Sequence, residues 1–271
     1  MLNFIKGSIF SRNTGRLSEK SESEMPSQVL AVWGSPGSGK TAVAVKLVKY
    51  LADKRKNVAL LLCDMTAPML PCICPPTDLE CEKSLGSILA ATHITDTLIK
   101  QNCITHRKIK YLTLIGMLKG ENVFTYPPYN AELAKDLIER LKNIVPYIII
   151  DCSSTIATDI LSAVSLMEAD SVLRLVNCDL KSVSYLSSQL PLLQDNSWNT
   201  EKQYKAASNL KNGEAGEIIE RVLGNTAFKI PHSNELENQF LEGDLFKDLV
   251  LKESRGFRRE IEKISKEVLG V

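Results

Sequence analysis

The chain has 271 residues, 44% hydrophobic and 24% charged, with a formal net charge of +1. This ordinary globular composition allows one large α/β domain or two small ones, and it offers no bulk attraction to nucleic acid or anionic lipid. No run approaches the roughly 18 apolar residues of a membrane span, and the first residues lack the long apolar core of a secretory signal. Seven cysteines, an odd number at low density, fit reduced thiols in a cytoplasm better than a disulfide framework.

The N-terminus carries a short apolar cluster (Leu2, Phe4, Ile5, Ile9 and Phe10) followed by the polar, Ser- and Glu-rich stretch 11–27. Such a stretch cannot bury a core, so residues 1–27 read as a tail and linker. The cluster itself reads as a docking tail or a frayed end rather than a membrane or partner anchor, because no longer helix accompanies it. From residue 28 short apolar runs predict strands over Val29–Trp33, Val58–Cys63, Tyr111–Ile115, Tyr147–Ile150, Val172–Val176, Tyr204–Ser208 and Ala227–Ile230. Helical patterns lie between them: Thr41–Asp53, Leu85–Lys100 with a break near His93, Ala131–Asn143, Ile156–Met167, Ser182–Leu193 and Gly216–Leu223. The stretch Glu235–Val271 also reads as helices. Runs such as Ile148-Ile149-Ile150 suit strands covered on both faces. The alternation predicts a doubly wound α/β fold with a mostly parallel sheet, one domain over 28–271.

One motif carries the chemistry. Gly34-Ser35-Pro36-Gly37-Ser38-Gly39-Lys40-Thr41 satisfies G-x-x-x-x-G-K-[ST] in full, with a strand before it and a helix after it. Glycines permit the tight turns that let successive N–H groups converge on phosphate oxygens at a helix start. Lys40 would reach the β- and γ-phosphates, and the Thr41 hydroxyl would coordinate magnesium. Asp151 ends the run Tyr147–Ile150, where a carboxylate points into the crevice of an open α/β sheet, and is assigned to hold a magnesium-bound water. Asp64 ends the run Val58–Cys63; it would orient the attacking water or support magnesium from further out. The ligands expected from these residues are therefore a nucleoside triphosphate and Mg2+.

Together with Cys63-Asp64-Met65-Thr66, Ile150-Asp151-Cys152-Ser153 and Leu175–Val183, this loop resembles the ParA/MinD superfamily of P-loop ATPases over about residues 28–250. The nearest likeness is to the CpaE/TadZ type, which places pilus and secretion machinery. The resemblance implies that the nucleotide is ATP, that Asn209, in Ala207-Ser208-Asn209, reads adenine and that Pro231, in Ile230-Pro231-His232, lies beside the base. It implies a nucleotide-dependent homodimer, pilus or secretion proteins as partners, and a cytoplasmic location with peripheral contact at the inner face of the membrane. One position departs from the family. Its usual loop begins with a lysine that reaches the partner's phosphates across the dimer, and here that position is Ser35. A serine supplies no cation, so slow hydrolysis is expected.

Weaker constellations are read more plainly. Cys72, Cys74 and Cys81 sit in a proline-bracketed loop without the C-x-x-C pairs of zinc or cluster sites, and read as reduced thiols. In the C-terminal stretch, Phe257, Ile261, Ile264 and Val268 fall at helical spacing among interleaved lysines, arginines and glutamates. This reads as a solvated surface helix rather than a docked apolar stripe, with little to mark lipid contact and less to mark DNA. The leading reading is an ATP-dependent switch that organises a cellular assembly. The rivals are a P-loop kinase of a small molecule, with His106-Arg107-Lys108 as its lid cluster, and a dormant nucleotide-holding module.

Overall fold

Along Gln28–Gly34, Leu30 and Val32 face one side of a strand and Val29, Ala31 and Trp33 the other, and both sets are buried. A strand covered on both faces requires helices above and below it. The computed structural model describes residues 26–81, 83–194, 198, 200–211 and 224–271. The apolar cluster near the N-terminus, most of the expected linker and the helix expected over 216–223 lie outside the described residues.

Among the described residues the strands are β1 (Gln28–Gly34), β2 (Val58–Leu62), β3 (Ile104–Thr105), β4 (Leu112–Ile115), β5 (Tyr147–Asp151), β6 (Ser171–Asn177), β7 (Gln203–Leu210) and β8 (Phe228–Pro231). They form one sheet in the order β3-β4-β2-β5-β1-β6-β7-β8. Every pairing is parallel except β3 with β4. Each of the seven runs read from the sequence falls on a strand. The additional one, β3, is two residues long and too short to show a period.

The helices are α1 (Lys40–Asp53), α2 (Leu70–Ile73), α3 (Leu85–Leu89), α4 (Asp96–Asn102), α5 (Ala131–Ile144), α6 (Ile160–Glu168), α7 (Leu180–Gln189), α8 (Asn234–Leu241) and α9 (Arg255–Leu269). One layer packs Val43, Leu47 and Leu51 of α1 with Phe257, Ile261 and Ile264 of α9 against Leu30, Val32 and Ile149. The other packs Ile88, Ile99, Leu137, Ile138, Leu161 and Val164 of α3–α6 against Ala31, Trp33, Ile148 and Ile150. No helix of the described residues is long and apolar enough to cross a membrane.

Three details differ from the sequence expectation. The helix expected from Ile156 begins at Ile160, because Asp159 caps it by accepting from the Ser162 N–H at 3.2 Å. The helix expected over Ser182–Leu193 begins at Leu180, capped by Asp179, and turns into a 3-10 helix at Leu190, where Pro191 cannot continue the hydrogen-bond ladder. The break expected near His93 is present: the pattern over Leu85–Lys100 is two helices, each with its own cap, Ser84 and Thr95. The C-terminal helix is a correction. Its charges do face solvent, but Phe257, Ile261 and Ile264 form a docked stripe that is part of the core, so that stripe is not a surface for lipid.

The chain moves from β1 outward to β2 and β4, returns as β5 beside β1, and then crosses to β6 on the other side of β1. The C-terminal end of β1 is thus the place where the winding reverses, and a crevice opens there.

Candidate functional site

β1 runs directly into loop 34–39 at that crevice. A Cβ on residue 34 would lie 1.8 Å from the Leu175 carbonyl oxygen of β6, so a glycine is required there. Gly39 precedes α1 at φ 79, in the left-handed region that favours glycine. No side chain caps α1 and its first turn holds no acidic residue, so its leading N–H groups and its dipole are directed at the loop. Ser208 of β7 donates to the Ser38 carbonyl at 2.8 Å and holds the loop from the other side.

Ser35 is fully buried within this loop. Its N–H donates to the Leu175 carbonyl at 3.0 Å, and its hydroxyl accepts from the Asn177 N–H at 3.4 Å. The side chain therefore faces the end of β6 rather than the molecular surface, while Pro36 beside it is exposed.

Two charged groups meet beneath the loop. The Lys40 ammonium donates to the Ser154 hydroxyl at 2.6 Å and to the Ser35 carbonyl at 3.4 Å, and Ser154 in turn donates to the Gly34 carbonyl at 2.9 Å. Burial holds the ammonium below the usual lysine range, opposed by Asp151, Cys152 and Asp64. The Thr41 hydroxyl donates to Asp151 Oδ2 at 2.6 Å. Burial pushes the Asp151 carboxyl up to about 6 against the Thr41 hydrogen bond and the Lys40 charge, and nearby Asp64 adds to the rise. The second oxygen, Asp151 Oδ1, is buried and has no hydrogen-bond partner among the described residues. A buried carboxylate oxygen without a donor, beside a hydroxyl, is a fit donor set for a hard divalent cation such as Mg2+.

Asp64 follows β2, whose Leu62 pairs with Asp151 in register, so the two carboxylates stand at adjacent strand ends. Asp64 Oδ1 accepts from the N–H groups of Thr66 and Ala67 at 2.9 and 2.8 Å, which folds the following segment back over it. The sequence-predicted residues Lys40, Thr41, Asp64 and Asp151 are thus brought together.

Asn209 and Pro231 are brought to the same cavity. A pocket of about 360 Å3 extends from Gly37–Thr41 to Asn209, Pro231 and His232, walled on its apolar side by Ile230, Leu236 and Phe257. Its size suits a small-molecule ligand, anionic at the loop end and flat and apolar at the other.

Other candidates are not brought there. β3 runs antiparallel to β4, so His106-Arg107-Lys108 lies at the end of the sheet opposite the loop. There Arg107 Nε donates to the Leu79 carbonyl at 2.8 Å and Lys108 pairs with Asp78 at 2.7 Å. The kinase reading loses its lid candidate. The thiols of Cys72, Cys74 and Cys81 contact the carbonyls of Pro68, Pro75 and Cys103 respectively. Among the described residues no three His, Cys, Asp or Glu side chains form a group that could hold a metal. The residues missed by sequence reasoning are Ser154 and Ser208. Each acts across the sheet through a single hydroxyl, and no spacing in the sequence marks them.

A model of the AAA domain family matches residues 28–203. Among curated proteins none matches the chain in sequence. Solved structures share the fold. A ParA family ATPase from Chlorobium tepidum aligns with a TM-score of 0.73 at 16% identity, over 90% of this chain and 99% of that one. The MinD cell division protein of Aquifex aeolicus aligns with a TM-score of 0.68 at 19% identity, over 90% and 98% of the two chains. The septum site-determining protein MinD of Pyrococcus horikoshii, complexed with Mg-ADP, aligns with a TM-score of 0.67 at 14% identity, over 89% and 96%.

Proposed function

Because the chain belongs to the AAA domain family and has the fold of the ParA/MinD ATPases, we propose that it is an ATP-binding, slowly hydrolysing switch that spatially organises a cellular assembly. The CpaE/TadZ likeness makes a pilus or secretion apparatus the proposed assembly, a nucleotide-dependent homodimer its working form, and the cytoplasmic face of the membrane its place of action. In this reading the leading amides of α1 and the Lys40 ammonium hold the β- and γ-phosphates at the loop Gly34–Thr41, while Asn209 and Pro231 receive the adenine. Thr41 and Asp151 would hold Mg2+, the carboxylate by way of a water. When bound, the cation neutralises charge that develops on the transferring phosphoryl group. Asp64 orients the attacking water.

The observation that carries the proposal is the contact of Thr41 with Asp151 at 2.6 Å, which leaves Asp151 Oδ1 without a donor beside the uncapped start of α1. The Mg-ADP complex of the Pyrococcus horikoshii relative supports the ligand class. The test is titration calorimetry with Mg-ATP on the parent and on Lys40→Ala. We expect binding by the parent and its loss in a folded Lys40→Ala; equal affinity of the two would remove the assignment.

One observation favours a second reading, a module that holds nucleotide without turning it over. Ser35 is a serine where the family has its trans-acting lysine, and its side chain is buried toward Asn177. Phosphate release well below one turnover per hour with tight ATP binding would select this reading.

A further inference from the structure

The pocket that starts at the phosphate loop ends on a line of three side chains, Asn209, His232 and Glu237. Asn209 has φ 58 and sits in an irregularity where the register of β7 against β8 shifts between Ala207 and Leu210. The backbone there is held by the His232 N–H, which donates to the Leu210 carbonyl at 2.8 Å. The Asn209 backbone is thereby placed, but an amide group still has two nearly equivalent orientations about its last torsion. His232 decides between them. Its Nδ1 lies 2.7 Å from Asn209 Oδ1, while its Nε2 lies 3.1 Å from Asn234 Oδ1 and 3.5 Å from Glu237 Oε2. With its proton on Nδ1, the ring donates to Asn209 Oδ1.

We propose that His232 is the specificity-determining residue of the base end of this site. It holds the Asn209 oxygen toward the imidazole, so that the Nδ2 amino group is directed away from it as a fixed donor. A fixed donor matches the bare ring nitrogen of a 6-aminopurine and opposes the ring N–H of a 6-oxopurine. The inference rests on the nucleotide-binding reading above and adds to it the reason for choosing adenine. Phosphate contacts at the other end of the pocket are common to all nucleoside triphosphates and choose nothing.

The experiment compares Mg-ATP and Mg-ITP dissociation constants for the full chain in the parent, His232→Leu, His232→Gln, Asn209→Ala and the double variant Asn209→Ala/His232→Leu. The parent should prefer ATP. His232→Leu should lower that preference by about five- to tenfold, as expected when one orienting hydrogen bond is lost. His232→Gln, whose amide can also donate to Asn209 Oδ1, should keep most of it. The double variant should be no less selective than Asn209→Ala alone, because His232 acts through Asn209. A parent that prefers ATP while His232→Leu keeps the same ratio overturns the inference and leaves the nucleotide reading standing. So does a double variant whose loss is the sum of the two single losses. A parent that binds neither nucleotide removes both.

Discussion

The Thr41 hydroxyl donates to the Asp151 carboxylate across 2.6 Å, tying the first turn of α1 to the tip of β5 although the residues are 110 positions apart. This bond satisfies one oxygen of a buried carboxylate and leaves the other without a donor. The site beneath the loop therefore carries an unfavourable charge until a cation or a proton reaches it.

That charge has a measurable pH dependence. The folded Asp151 carboxyl sits at about 6, above the roughly 3.9 of an unfolded aspartate. A carboxyl raised in the folded state contributes stability that is fully present below about pH 4 and is lost as pH rises through about 6. Asp151→Asn should remove this dependence and, without magnesium, stabilise the chain at pH 7.5 by on the order of 2 kcal/mol. Urea unfolding of both proteins at pH 5 and 7.5 measures it. An unchanged difference between the two pH values in the variant would show that Asp151 is not the group responsible.

The two carboxylates should separate kinetically. Asp64→Ala is expected to keep Mg-ATP binding within a few fold and to lose at least about tenfold in hydrolysis, because water positioning matters chiefly in the transition state. Asp151→Ala should instead weaken the magnesium dependence of binding itself. Parent-like turnover in both variants would exclude both residues from the mechanism.

Ser35 allows a test of how the active unit is built. A lysine substituted with the serine's inward orientation would bury its ammonium near Asn177, so Ser35→Lys alone should destabilise the chain by about 1–3 kcal/mol. Ser35→Lys with Pro36→Gly lets the loop turn the cation outward. If two copies sandwich the nucleotide, hydrolysis per subunit should then rise with protein concentration. A rate that stays at the parent's value over a dilution series counts against the sandwich and for the nucleotide-holding module.

Lys46 on α1 anchors the C-terminal region. Its buried ammonium donates to Gln239 Oε1 of α8 and to the Lys247 carbonyl, each at 2.6 Å, and burial lowers it to about 8. Between pH 8 and the roughly 10.4 of an unfolded lysine, the unfolded chain binds more protons, so this residue makes stability rise with pH across that window. Lys46→Met should abolish the rise and cost about 1–3 kcal/mol at pH 7, because the buried Gln239 oxygen and the Lys247 carbonyl lose their donor. Denaturant midpoints at pH 7, 8.5 and 10 check both effects, and a rise that persists in Lys46→Met would assign it to other groups.

The amino-acid sequence by itself determined the elements that depend on local rules. The phosphate loop is legible because glycine, lysine and threonine at fixed offsets are what its turns and charges require. The strands are legible because apolar residues at successive positions of β1 and β5 must be covered on both faces, and the place of Asp151 follows from the end of such a run. Only the tertiary structure decided which side chains meet. The Lys40 contact with Ser154, the inward turn of Ser35 toward Asn177, the hold of His232 on Asn209 and the docking of Phe257, Ile261 and Ile264 on α1 all join separate segments. The placement of His106–Lys108 at the far end of the sheet depends likewise on β3 running antiparallel. Periodicity sets the direction of a side chain within its own strand or helix. What lies opposite it is set by strand order and by the register between strands, and no short window of residues encodes either.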